Sequence, residues 1–201
     1  MKKFLMFILT IVFSAAMVVS AAAAGLTHTV VSGDTMWKLA VKYKVGVSEI
    51  IAANPQIKNP DMIYPGEVLN IPQVSNSTLA YENEVIRLVN EARAKNGLQP
   101  LTANWELSRI ARYKSQDMAD NHYFSHTSPT YGTPFQMIHS FGLTYKTAGE
   151  NIAYGQKTPQ EVMNAWMNSS GHRANILNPN FKKIGVGYSP NGNYWTQEFI
   201  G

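Results

Sequence analysis

Cysteine is absent from all 201 residues, so no disulfide staples this chain, no thiolate acts as nucleophile or zinc ligand, and every cysteine-dependent enzyme class is excluded. Any small unit within it must stand on buried apolar surface alone, which becomes hard below roughly 40 to 60 residues. The composition allows it: 45% of side chains are hydrophobic and 15% charged, as in ordinary globular protein. With Lys2 and Lys3 set aside, 15 basic side chains face 13 acidic ones and the formal charge falls from +4 to +2. The remaining basic residues are scattered, so nucleic acid is not an expected partner.

Lys2-Lys3, the apolar run Phe4 to Val19, Ser20 and the small residues Ala21 to Gly25 have the layout of a secretory signal peptide. Ala22-Ala23-Ala24 fits the A-x-A cleavage rule, which predicts a leader over residues 1–24 and a mature chain from Gly25. A retained membrane anchor is the alternative, against which the run falls short of the roughly 20 residues that span a bilayer. No later segment is apolar enough to do so, and an exported protein without a membrane span in its mature chain is expected.

Residues 25–73 read as one compact unit. His28 to Val31 suggests a short strand, Ser32-Gly33-Asp34-Thr35 a turn and helix cap, and Trp37, Leu39, Ala40 and Tyr43 an apolar helix side. A second helix begins at Ser48 and stops at Asn54-Pro55, because proline lacks the amide hydrogen that would continue it. Pro65-Gly66 turns the chain into a strand from Glu67 to Ile71. The order strand, helix, helix, strand and the motifs Val30 to Ala40, Ile50 to Pro55 and Tyr64 to Pro72 resemble the LysM family throughout.

That resemblance implies binding of N-acetylglucosamine-containing glycan, either peptidoglycan or a chitin-like chain, in a shallow groove between two loops. The loops here are Gly33, Asp34, Thr35 and Met36, and Asn59, Pro60, Asp61, Met62 and Ile63. Gly33 lets backbone approach a ligand closely, and free amides at a helix start can bond an acetamido carbonyl. Asp34 or Thr35 also reads as a helix cap. Trp37 and Tyr43 read as core residues more than as sugar platforms.

Polar, uncharged residues mark a linker over 74–78, and a second domain follows over 79–201. Tyr81, Val85, Leu88, Val89 and Ala92 predict a helix closed by Gly97, and a second helix is expected from about Asn104 to Ala119. Thr158-Pro159-Gln160-Glu161 combines a capping box with proline in the first turn, predicting a helix from Pro159 to about Asn168. Ile184, Val186 and Tyr188 lead through Asn191-Gly192 into Tyr194 to Ile200, a terminal β-hairpin. Early helices and late strands make the fold class α+β.

Four ordered segments, Ser125 to Pro129, Gly149 to Ala153, Trp166 to Leu177, and Ile184 to Tyr188 with Trp195 to Phe199, resemble the bacterial branch of the CAP superfamily. The resemblance implies a three-layer α-β-α sandwich whose cleft holds His126, Glu150 and His172. A second acid expected after Trp166 is missing, since Asn168, Ser169 and Ser170 stand there. His126 and His172 are candidate ligands of a divalent metal such as zinc, with Glu150 either completing a three-ligand site or orienting a histidine. The same residues also read as a polar cluster that fixes loops. Arg173 and Asn175 are expected to pin the loop after the late helix, Gln197 to face the cleft or pair across the hairpin, and His28, His122 and His139 to have no partner.

Other hydrolase signatures fail. His122 and His126 are four apart but Tyr123 replaces the zincin glutamate, there is no G-x-S-x-G, and Glu150 has no evident second carboxylate for glycoside cleavage. The expectation is an exported envelope protein attached to glycan at the cell wall or spore envelope, an address typical of the endospore-forming bacteria whose proteins it resembles. Its CAP domain would take a ligand or an envelope protein partner. The alternatives are a metal-dependent hydrolase using the cleft and capture of a lipid or other small apolar ligand.

Overall fold

The computed structural model describes residues 25–201, and the expected leader lies outside them. Strand β1 (Thr27–Thr29) pairs antiparallel with β2 (Val68–Asn70), and between them lie helices α1 (Met36–Tyr43) and α2 (Val47–Ala52). Thr35 caps α1 by accepting from the Lys38 amide at 3.1 Å, and Glu49 reaches back to the Gly46 amide at 2.9 Å to start α2. Met36, Leu39, Ala40, Val45, Ile50, Leu69 and Ile71 form the core of this unit. Asn54 does more than end α2: its side-chain nitrogen donates to Ile50 O and Asn70 O, and its oxygen accepts from Asn70 N, clamping helix end to strand. That buried clamp supplies part of what a disulfide would in so small a unit.

The C-terminal domain comprises α3 (Asn76–Lys95), β3 (Thr102–Ala103), α4 (Trp105–Asp120), α5 (Pro134–Ser140), β4 (Ala148–Tyr154), α6 (Pro159–Asn168), α7 (Ser170–Ile176), β5 (Lys183–Ser189) and β6 (Tyr194–Ile200). The sheet order is β3-β5-β6-β4, antiparallel except for the β3–β5 pair. On one face Ile184, Val186, Trp195 and Phe199 pack against Val85, Leu88 and Val89 of α3 and Val162 and Trp166 of α6. On the other face α4 lies directly on the sheet, making the expected α-β-α sandwich. A side chain at Gly185 would collide with the backbone of Leu107 and Ser108, and one at Gly187 with that of Ala111 and Arg112. Glycine is therefore what lets helix and strand touch backbone to backbone.

Several expectations shift in register or are incomplete. Residues 76–78 of the expected linker are helical, because Ser75 caps α3 by accepting from the Thr78 amide at 3.1 Å. The hairpin turn lies one residue later than Asn191-Gly192, with positive φ at Gly192 and Asn193. Helices α5 and α7 and strand β4 were not resolved by pattern. The loop after α7 is pinned by buried Arg93, which donates to Ile176 O and Asn178 O, whereas Arg173 is exposed.

The two units touch. Arg109 of α4 donates to Glu49 of α2 at 2.6 Å, with its guanidinium 5.0 Å from the Phe141 ring centre and 5.4 Å from that of Tyr113. Burial alone would raise the Glu49 pKa, but hydrogen bonds from Arg109, the Gly46 amide and Tyr113 outweigh it and hold it low. Among the described residues no helix is long and apolar enough to cross a membrane.

Replacing Gly187 with alanine should cost about 3 kcal/mol, the upper end for overpacking, since backbone atoms cannot rotate out of the way. Urea unfolding of Gly187→Ala beside Gly142→Ala, whose site has open space around it despite its positive φ, separates this collision from a general glycine effect.

Candidate functional site

The C-terminal cleft is built over strand β4, the edge of the sheet. Glu150 stands on β4 directly opposite Glu198 on β6, so both side chains point to the face covered by α4. Asp117, near the end of α4, gathers the next loop by accepting from Asn121, Tyr123, Ser128 and Thr130. Burial alone would raise the Asp117 pKa, and these four donors bring it below the usual range. The loop so held carries His126, whose Nδ1 lies 2.6 Å from Glu150 Oε1. Lys114, buried beneath, donates to the His126 carbonyl at 2.7 Å. Its pKa is pushed down by burial, against the opposing pull of Glu150, Asp117 and Glu198.

His172 arrives from α7 on the other side of β4. Asn151 donates to its carbonyl at 3.1 Å and to Gln197 Oε1 at 3.0 Å, while Asn175 donates to Asn151 and to Glu150 O. Asn175 thus pins a helix to the edge strand, and Gln197 pairs across strands β4 and β6. The His172 side chain faces a hollow of about 300 Å³ with Phe124, Ile152, Tyr154, Trp166 and Ser169. Burial lowers its pKa first, and the nearby charge of His126 lowers it further. The structure therefore joins His126 to Glu150 directly and sets His172 within electrostatic reach, without a direct bond.

A three-ligand zinc site does not fit this arrangement. One Glu150 oxygen is spent on His126 and the other is buried, leaving two imidazoles where a catalytic zinc needs three protein ligands. Among the described residues no three His, Asp or Glu side chains gather closely enough to hold an ion. Glu150 instead bonds the His126 ring directly. The expectation that it lacks a second carboxylate is corrected by Glu198. Burial first, then Glu150, pushes the Glu198 carboxyl well above the usual range. Both Glu198 oxygens and Glu150 Oε2 are buried without a hydrogen-bond partner, so two acids face each other across adjacent strands, an arrangement that disfavours ionising both. The acids stand side by side on adjacent strands rather than flanking a bond as glycosidase acids do.

At the N-terminal unit, Thr29 pairs with Val68 and Val30 exchanges hydrogen bonds with Gly66 and Glu67. Both expected glycan loops therefore leave the same end of the ladder. Gly33, Thr35, Asn59, Asp61 and Met62 are exposed and Asp34 and Pro60 half-buried, while Met36 is buried and Ile63 packs on the core, so these last two offer backbone only. Asp34 is engaged in holding its loop: it accepts from Val31 N at 2.9 Å and bonds His28 at 2.8 Å, and its pKa is lowered, chiefly by His28. His28, expected to be unpartnered, also meets the Tyr43 hydroxyl at 2.8 Å. Tyr43 is partly buried as expected. Trp37 is not: it is 67% exposed.

The model of the cysteine-rich secretory protein family, CAP, matches residues 86–199. The chain belongs to this family. A LysM domain model matches residues 28–72. The chain is 64% identical over 126 residues to the uncharacterized protein YkwD of Bacillus subtilis (strain 168), covering 63% of this chain and 49% of that one. The crystal structure of an extracellular protein containing a SCP domain from Bacillus anthracis str. Ames superposes with a TM-score of 0.60 at 31% identity, covering 68% of this chain and 47% of that one. Over 48 residues the chain is 44% identical to the spore coat assembly protein ExsA of Bacillus cereus, covering 24% of this chain and 8% of that one. The chain spans about half or less of the length of these relatives.

Within the CAP domain, sequence reasoning missed Glu198, Lys114 and Asp117. The available signal for Glu198 was a carboxylate inside the apolar strand Tyr194 to Ile200; for Lys114 and Asp117 it was charge among the apolar positions of α4. Because the Glu198 pKa is raised on folding, the folded state binds its proton more tightly than the unfolded chain. That contribution is complete below the ordinary value near 4.5 and is lost as pH rises towards the folded value. Glu198→Gln cannot ionise, so its stability relative to wild type should climb with pH above about 4.5, by at most about 1.4 kcal/mol per pH unit. Urea unfolding from pH 4 to 8 checks this, and parallel curves for the two proteins would contradict a neutral Glu198.

Proposed function

We propose that this protein is an exported, wall-attached ligand-binding protein whose LysM unit grips N-acetylglucosamine-containing glycan through the loops at 33–36 and 59–63. The observation that carries the reading is that these loops share one end of the β1–β2 ladder, exposed above a core closed beneath them. In the first turn of α1 Thr35 takes the Lys38 amide, and the amides of Met36 and Trp37, which have no intrahelical acceptor, suit the carbonyl of an acetamido group. A peptidoglycan strand offers that group repeatedly. The likeness of the LysM segment to a spore coat assembly protein supports the spore envelope as the address.

The CAP cleft is read as the place where a small amphipathic ligand is held. Phe124 and Tyr154 are 53% and 54% exposed at its mouth, with ring centres 6.2 Å apart, and Ile152 and Trp166 line the hollow behind. His172 supplies a polar contact within the hollow, and His126 another on the same edge of the sheet. This arrangement favours capture of a molecule with an apolar part and a hydrogen-bonding head.

Sedimentation of residues 25–201 with insoluble peptidoglycan, competed by soluble chitin oligosaccharide, tests the LysM reading. Gly33 has φ of +87°, so Gly33→Val strains the loop by about 1 to 2 kcal/mol and should weaken retention at least fivefold. A single module binds weakly, so retention should fall steeply with competitor. Retention unaffected by both competitor and variant would overturn the reading.

A further inference from the structure

A cavity of about 540 Å³ lies in neither the LysM loops nor the CAP cleft but in the seam between the two units. Its walls come from α1 and α2 on one side and from α4 and α5 on the other, with Trp37, Trp105, Tyr113, Tyr131 and Phe141 giving it an aromatic character. Trp37 and Val41 stand 67% and 41% exposed there. A tryptophan left in water on a unit with so small a core gains nothing for folding, and exposed apolar surface of this kind marks a binding site.

We propose that this seam is a second saccharide subsite that receives the continuation of the glycan strand held by the LysM loops. The inference rests on the proposed glycan binding and extends it along the chain. Three observations converge. First, the seam opens beside the first loop, since Trp37, which lines it and is exposed, directly follows Met36, the last residue of that loop. Second, the far wall is rigid: Tyr113, Tyr131 and Phe141 pack edge to ring at 5.4 to 6.3 Å, and the Arg109 guanidinium over Phe141 is fixed by Glu49. Third, Ser48, Glu106 and Ser140 add polar groups to the aromatic surface. A pyranose ring has an apolar C–H face and a rim of hydroxyls, and it needs that combination. A purely apolar ligand would leave the polar groups unpaired.

The test is calorimetric titration of residues 25–201 with N-acetylglucosamine oligomers of increasing length, for wild type, Trp37→Ala, Trp37→Phe and Val41→Arg. In the wild type affinity should rise once oligomers outgrow the loops, with quenching of tryptophan fluorescence. Trp37→Ala should lose roughly two- to tenfold for the long oligomers, as expected for one aromatic contact, while binding short ones like wild type. Trp37→Phe should recover part of the loss, and Val41→Arg, which fills the seam from an exposed position, should cap affinity at the short-oligomer value. Short oligomers binding with no gain on lengthening, or an equal gain in all four proteins, would overturn the seam subsite and leave the loop reading standing. Absence of binding at every length would overturn both.

Discussion

Helix α4 rests on strand β5 at a distance only glycine permits, and most of what is distinctive in this molecule follows from that depth. Because Gly185 and Gly187 carry no side chain, Leu107, Ile110, Ala111 and Met118 sink until no solvent reaches them. The polar residues between them are thereby carried to different places. Arg109 reaches the LysM unit and Arg112 pairs with Glu82 of α3 at 2.9 Å. Lys114, Ser115 and Asp117 face the sheet and the loop of His126, with Ser115 bonding Thr196 on β6 at 2.9 Å. One helix thus sets the geometry of the seam and of the cleft.

The electrostatics around this helix are dominated by burial. Glu82 has Arg112 as partner, yet removal from water pushes its pKa up to about 7. Glu198 is buried more completely still and has a second acid as its neighbour. In both cases desolvation exceeds what the available cation returns, the usual outcome for ion pairs in protein interiors. Asp117 goes the other way because four hydrogen-bond donors, not a counter-charge, compensate its burial. The CAP domain therefore holds carboxyls of opposite tendency, Asp117 favouring the ionised form that fixes a loop and Glu198 favouring the neutral one.

Much of this fold was legible in the sequence where a local rule had no competitor. Thr158-Pro159-Gln160-Glu161 does start α6, with Thr158 accepting from the Glu161 amide, although the glutamate reaches back to Lys157 rather than to the cap itself. Glu198 was not legible because β6 is covered on both faces: when Thr196 is as buried as Trp195, alternation no longer says which residues meet. Helix α7 has no apolar period to announce it and is held by Asn151 of β4, which donates to His172 O and accepts from the helix's own Asn175, a partner that only the folded sheet supplies. Trp37 sits beside the apolar stripe of α1 and stays 67% exposed, facing residues of α4 and α5 that no window of eight residues contains.

Arg93 gives the lack of cysteine a further meaning. Its guanidinium, on a residue 1% exposed, ties α3 to carbonyls 83 and 85 residues further along the chain, a span that a covalent bridge could also close. Such a bridge restricts the unfolded chain as well as the folded one, whereas this tie exists only once the sandwich has closed. The unfolded polypeptide keeps its full conformational freedom, and the link re-forms by itself each time the domain refolds. No oxidant, isomerase or particular thiol balance is needed to make it.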